Sequence, residues 1–153
     1  MKLTEMMGPG CIIGSLEVKN KEEALRELTR AALHDISPEE LEGVVKVLLD
    51  REKLGSTGIG DGTAIPHGKV STVDSMKVAF GRSLKGIDFN ALDGKPVFLF
   101  FLLLAPEGSQ SIHLRVLAKI SRMVRDASFR TRLMGAKDSK ELYEIISKQD
   151  ECC

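Results

Sequence analysis

The chain has 153 residues, 42% hydrophobic and 29% charged, a length and balance that fit one globular domain whose core needs neither metal nor disulfide. Its 22 basic residues are matched by 22 acidic ones, which excludes a net field that would draw in nucleic acid or anionic lipid, so any anion must be met by local groups. Cys11, Cys152 and Cys153 are odd in number and two are adjacent; they give no disulfide framework and no C-x-x-C metal spacing, as expected in a reducing cytoplasm.

The opening MKLTEMMGPGCIIGSLEV has only a broken apolar run and reads as neither signal peptide nor anchor. Ile12, Ile13, Leu16 and Val18 suggest a first short strand. Asn20 reads as the N-cap of a helix with Ala24, Leu25, Leu28, Ala31 and Ala32 at three- and four-residue spacing, ending near His34. Ser37-Pro38-Glu39-Glu40 restarts a helix, with a serine cap, proline in the first turn and carboxylates at the positive end of the dipole. Leu41, Val44, Val45, Leu48 and Leu49 carry it to about Lys53, and Gly55 stops it.

LGSTGIGDGTAIPHGKVS, Leu54 to Ser71, holds five of the fourteen glycines and one of the three histidines. SMKVAFGRSLKG then reads as a strand, Asp93-Gly94 as a turn, and the unbroken apolar run Val97–Leu104 as a central strand buried on both faces. That run is far shorter than the roughly 18 residues of a membrane span. A helix capped by Ser109 or Ser111 aligns His113, Leu117, Ile120 and Val124, and two more helices span Ser128–Met134 and Ser139–Ser147. The sum is an α/β fold in a single domain, a small mixed β-sheet flanked by helices on both sides. It covers residues 1–150, and 151–153 read as a disordered tail.

The glycines around His67 match no nucleotide loop. A G-x-G-x-x-G fingerprint counted from Gly58 or Gly60 meets Thr63 or Ile65 at its last position, and Gly68-Lys69 is followed by Val70 where a P-loop needs Ser or Thr. No nucleotide or other cofactor is indicated. Pro66 restricts its own φ and pushes Ile65 toward extended backbone, so TAIP reads as a strand edge that presents His67, after which Gly68 allows a sharp turn. Missing side chains at Gly58, Gly60, Gly62 and Gly68 would leave room and backbone N–H groups for an anion, and a phosphoryl group suits a nucleophilic imidazole. Arg51, Lys69 and His113 are candidate partners for its oxygens; His113, in the first turn of its helix, sits where the dipole favours an anion and a neutral ring. Lys69 also reads as a plain surface residue, His113 as a core histidine, and Arg51 as half of a solvated ion pair with Asp50 or Glu52.

The segments REKLGSTGIG, AIPHG, IDFNALDGKPVFLFFLLLAPE and HLRVLAKISRM, in that order, closely resemble the fructose/mannitol type of enzyme IIA of the bacterial phosphotransferase system. The match runs nearly end to end. Within the family the chain is most similar to the nitrogen-regulatory enzyme IIA, with LGSTGIG and AIPHGK and no fused carrier or membrane domain read from the sequence. The resemblance implies phosphorylation at His67, His113 as the second active-site histidine and Arg51 as the nearby arginine, while Thr57, Gly58 and Gly68 are expected to line the phosphoryl pocket. Asp61 adds a carboxylate where many relatives carry asparagine.

The resemblance also implies a histidine phosphocarrier protein as donor and a regulated kinase, transporter or permease subunit as partner, in the cytoplasm, without nucleic acid and without direct membrane insertion. Three alternatives stay open: transfer to a fructose-type permease subunit, a binding module never phosphorylated, and a metal site on His67, His113 and a carboxylate, for which no three ligands are spaced together.

Overall fold

The computed structural model describes residues 1–152. Two short 3-10 turns (Leu3–Glu5 and Pro9–Cys11) lead into β1 (Ile12–Ile13), α1 (Lys21–Ala32) and α2 (Pro38–Lys53). After them come β2 (Gly58–Gly60), β3 (Thr63–Ala64), β4 (His67–Lys69), β5 (Lys77–Ile87), β6 (Val97–Ala105), α3 (Gln110–Arg125), α4 (Ala127–Gly135) and α5 (Ser139–Cys152). The first two helices start where their polar caps place them. The Asn20 side chain accepts the Glu23 amide at 2.9 Å. Ser37 and Glu40 form a reciprocal capping box, with Pro38 inside the first turn, satisfying amides that have no helical acceptor.

The sheet is mixed, in the order β1-β5-β6-β3-β2, with β4 also on β6. β5 and β6 pair antiparallel, whereas β3 and β4 both run parallel to β6. Successive side chains of β6 point to opposite faces, and both faces are apolar. Leu99, Phe101, Leu103 and Ala105 pack with Val116, Ile120 and Met123 of α3, Phe129 of α4 and Ile146 of α5. Phe100, Leu102 and Leu104 pack with Leu25 and Leu28 of α1 and Val44 and Leu48 of α2. An unbroken apolar strand therefore requires a helical layer on each side, as the sequence indicated.

The last helix is longer than its apolar spacing suggests. It runs through Glu151 and Cys152, two residues expected in a disordered tail; Cys153 lies outside the described residues. A distant contact explains the extension: buried Asp150 pairs with Lys119 of α3 at 2.5 Å and accepts the Thr4 amide at 3.2 Å, so the end of α5 is tied to both α3 and the N-terminal turn.

The glycines near His67 serve the fold. Gly60 and Gly62 adopt φ of +103° and +72° around Asp61 at +55°, forming the β2–β3 turn in a region open mainly to glycine and short polar residues. Gly68 makes no sharp turn: it is a buried β4 residue. A Cβ there would come within 3.1 Å of Val47 Cγ1 and 3.5 Å of Leu48 Cδ2, so its missing side chain lets α2 approach the sheet.

Gly68→Val overfills this contact and is expected to lower the stability of the fold by about 1–3 kcal/mol, the usual cost of overpacking. Urea unfolding measures it; an unchanged midpoint would mean that α2 does not press on β4.

Candidate functional site

His67 is positioned by a break in one strand. β3 pairs Thr63 with Leu99, and β4 pairs His67 with Leu103, four residues further along both strands, so β3 and β4 follow one register on either side of Ile65-Pro66. Pro66 has no N–H to give the sheet, but its carbonyl accepts the Leu103 amide at 3.0 Å, which keeps β4 in line. Since β4 and β6 are in parallel register, His67 shares the face of Leu103, toward α3, and Gly68 the face of Leu104, toward α2.

The His67 ring folds back on its own chain, with Nδ1 2.8 Å from the Ile65 carbonyl oxygen. A carbonyl only accepts, so in the neutral ring Nδ1 carries the proton and Nε2 holds the free lone pair. Burial is the largest influence on this ring and holds its pKa below the ordinary histidine value. The bond to Ile65 opposes that depression, the charge of Arg51 adds to it, and Glu52 opposes it.

His113 faces this ring from α3. The two centroids are 5.5 Å apart and the planes are inclined by 77°. His113 is buried, and its Nε2 has no hydrogen-bond partner among the described residues. Its pKa is likewise depressed, by burial first and then by His67 and the charge of Lys69. Ser109 occupies the N-cap position of α3, but its hydroxyl donates back to the Pro106 carbonyl and caps no amide. The first turn of α3 therefore opens without a side-chain cap, next to His113, a setting that favours an anion over an imidazolium.

Two cations frame the histidines. Arg51, partly exposed at the end of α2, donates Nη1 to the Gly55 carbonyl at 2.9 Å. Asp50 pairs instead with Lys46 and Lys53, and Glu52 with Lys21, so among the described residues Arg51 has no carboxylate partner. Lys69 is exposed and also forms no ion pair among them; its effect on His113 gives this apparent surface residue a place in the site. Asp61 lies exposed in the β2–β3 turn and is not among the charges that act on His67.

Thr57 and Gly58 do not offer the free groups suggested by their sequence. The Thr57 amide donates to Glu52 Oε1 at 3.1 Å and its hydroxyl to Glu52 Oε2, while the Gly58 amide donates to the Ser56 hydroxyl at 3.0 Å. A Cβ on Gly58 would stand 2.9 Å from Cα and Cβ of Ala91. These residues and Gly68 form packed support behind the histidine. Glu52 was not singled out from the sequence, yet it is buried and acts on the His67 ring. Its signal was positional: it lies four residues after Leu48, where the next apolar residue of the buried stripe belongs.

Among the described residues no group of three His, Cys, Asp or Glu side chains converges to hold a metal, and no helix is long and apolar enough to cross a membrane. Exposed apolar side chains instead flank site residues in sequence: Leu54 follows Arg51 and its neighbours, and Ile112 and Leu114 lie on either side of His113.

The family model described as phosphoenolpyruvate-dependent sugar phosphotransferase system, EIIA 2, matches residues 5–149, and the chain belongs to this family. It is 40% identical over 147 residues to a nitrogen regulatory protein of Bradyrhizobium diazoefficiens, covering 96% of this chain and 95% of that protein. It is 34% identical over 151 residues to the fructose-specific EIIABC component of Bacillus subtilis, covering 99% of this chain but 24% of that longer protein. The crystal structure of nitrogen regulatory protein IIA-Ntr from Neisseria meningitidis superposes with a TM-score of 0.84 at 35% identity, covering 94% of this chain and 98% of that one.

Both imidazoles are expected to titrate below the ordinary value of about 6.5, as followed by ring carbon and nitrogen shifts in NMR. The unfolded chain then binds more protons than the native one as pH falls below about 6.5, so stability declines from there toward the lowered native pKa values. Replacing both His67 and His113 by Gln should flatten this part of the stability profile; an unchanged slope would place its origin elsewhere.

Proposed function

We propose that the protein carries a phosphoryl group on Nε2 of His67, received from a histidine phosphocarrier protein, and uses its phosphorylation state in nitrogen-type regulation of a kinase, transporter or permease subunit in the cytoplasm. The observation that carries this reading is the His67 ring itself, with Nδ1 committed to the Ile65 carbonyl, Nε2 free, and a second neutral imidazole alongside. In the transfer, the P–N bond of the donor phosphohistidine breaks as the P–Nε2 bond forms. His67 keeps its Nδ1 proton and its ring becomes cationic; the donor ring, protonated on its other nitrogen, leaves neutral.

Arg51 and Lys69, free of carboxylate partners among the described residues, supply positive charge for the phosphoryl oxygens, and His113 together with the first turn of α3 supplies neutral donors. Such a step relies on alignment and charge stabilisation more than on covalent help. The pocket role expected of Thr57, Gly58 and Gly68 becomes one of support from behind the ring. The exposed apolar residues Leu54, Ile112 and Leu114 suit docking of a protein donor. The relative named nitrogen regulatory protein, matched over nearly its whole length, supports the regulatory role. The fructose-specific relative supports onward transfer to a sugar permease subunit as the second reading.

Incubation with phosphoenolpyruvate, enzyme I and the phosphocarrier protein should label the chain once, with a base-stable, acid-labile bond, and His67→Ala should abolish the label. Label retained in that variant, or acid-stable label, would overturn the reading. Adding a fructose-type IIB subunit separates the two roles: rapid discharge onto it favours transport, and retention of the label favours regulation.

His113→Ala should fold and still accept phosphate, but with transfer slowed by about 2.7–4 kcal/mol in the barrier, the usual loss for a positioned donor. Rapid-quench kinetics equal to wild type would make His113 a packing residue only.

A further inference from the structure

Glu52 is 8% exposed at the end of α2, where an apolar side chain would continue the stripe. Its carboxylate has three donors. Lys21 Nζ lies 3.0 Å from Oε1, the Thr57 amide 3.1 Å from the same oxygen, and the Thr57 hydroxyl binds Oε2. Lys21 is itself held over the Phe89 ring, 4.6 Å from its centroid. The chain of bonds continues through the backbone. The Thr57 carbonyl accepts the Ile65 amide at 3.0 Å, and the Ile65 carbonyl accepts Nδ1 of His67. A buried carboxylate is thus tied to the imidazole through the backbone of two residues, Thr57 and Ile65.

We propose that Glu52 is a positioning residue for His67: by clamping Thr57 it fixes the Ile65 carbonyl, which holds the ring in its Nδ1–H tautomer with Nε2 aimed outward. This deepens the phosphocarrier reading and rests on it. The negative end of the bonded chain lies on the side of the ring away from the reacting nitrogen, where it favours the positive charge that the ring acquires as P–Nε2 forms. Lys21 neutralises the carboxylate from outside the chain, which allows the charge to be buried. Partners that orient a reactive histidine in this way, behind metal-bound imidazoles, are worth about ten- to hundredfold in activity.

The test compares Glu52→Ala, Glu52→Gln and Thr57→Val with wild type in two measurements: the His67 tautomer, from long-range proton–nitrogen NMR correlations, and the rate of labelling at saturating phosphorylated carrier. Wild type should show protonated Nδ1. Glu52→Ala should populate the Nε2–H form and label about ten- to hundredfold more slowly with little change in half-saturation. Glu52→Gln, whose amide can accept from the Thr57 amide and donate to its hydroxyl, should restore the tautomer and most of the rate. A folded Glu52→Ala with wild-type tautomer and rate overturns the proposal, as does Glu52→Gln impaired to the same degree as Glu52→Ala. If Glu52→Ala does not fold, Thr57→Val, which removes only the hydroxyl bond, takes its place: a shifted tautomer supports the clamp and an unshifted one overturns it. Failure of wild type to be labelled sinks the phosphocarrier reading instead, while the tautomer still decides whether Glu52 positions the ring.

Discussion

The double-sided burial of β6 is the constraint on which the remaining structure depends. A strand apolar on alternate residues needs one covering layer; Val97–Ala105 is apolar throughout and needs two. Its register then decides what each neighbouring strand shows to which layer. Because His67 lies opposite Leu103, its side chain is directed toward α3 and meets His113. Because Gly68 lies opposite Leu104, the glycine meets α2. A slip of one residue would reverse both faces, placing the imidazole under α2 and the glycine beneath α3. Pairing along β6 therefore secures the site as well as the core.

The electrostatics at the two histidines follow from that placement. Each ring is depressed in basicity mainly because it is buried, and His67 further disfavours a charge on His113. Near neutral pH the result is a pair of neutral imidazoles, one with its proton fixed on the inner nitrogen. A protonated His67 would have no lone pair at Nε2, so the depression keeps the ring nucleophilic. Arg51 acts on His67 and Lys69 on His113 in the same direction, with no carboxylate partner among the described residues to cancel them, leaving positive charge beside rings that carry none. Their arrangement suits a guest that brings its own negative charge.

Legibility from sequence divides along the range of the interactions. Asn20 and Ser37 were readable as caps because a cap bonds to amides three residues away. The β6 run was readable because burial on both faces leaves no polar residue to interrupt it. His67 stood out through Pro66, whose effect on its neighbours is local, and the family motifs drew His113 and Arg51 to the same site. Gly68 was misread as a turn because the contact that requires it is with Val47, in another element. The true extent of α5 depends on Lys119, far from Asp150 along the chain. Glu52 was passed over because a charged residue at a helix end normally reads as solvated; only the stripe from Leu41 through Leu48 pointed inward, and only the fold shows what its carboxylate holds.

His113 exposes the tension between stability and use at this site. A buried polar atom without a partner costs about 1–3 kcal/mol, and Nε2 of His113 is in that position. An apolar side chain there would pack with its neighbours at no such cost, so the histidine is poorly explained by the fold alone. On the proposed reading, a phosphoryl oxygen on His67 supplies the missing partner, and a penalty present in the empty site is relieved as the group arrives. The penalty returns when the group leaves, so this one histidine favours the phosphorylated state by no more than that amount. An acceptor with every group satisfied in both states would gain nothing from the arrival of its cargo, and because the gain here is limited to one hydrogen-bond partner, the group can still be passed on.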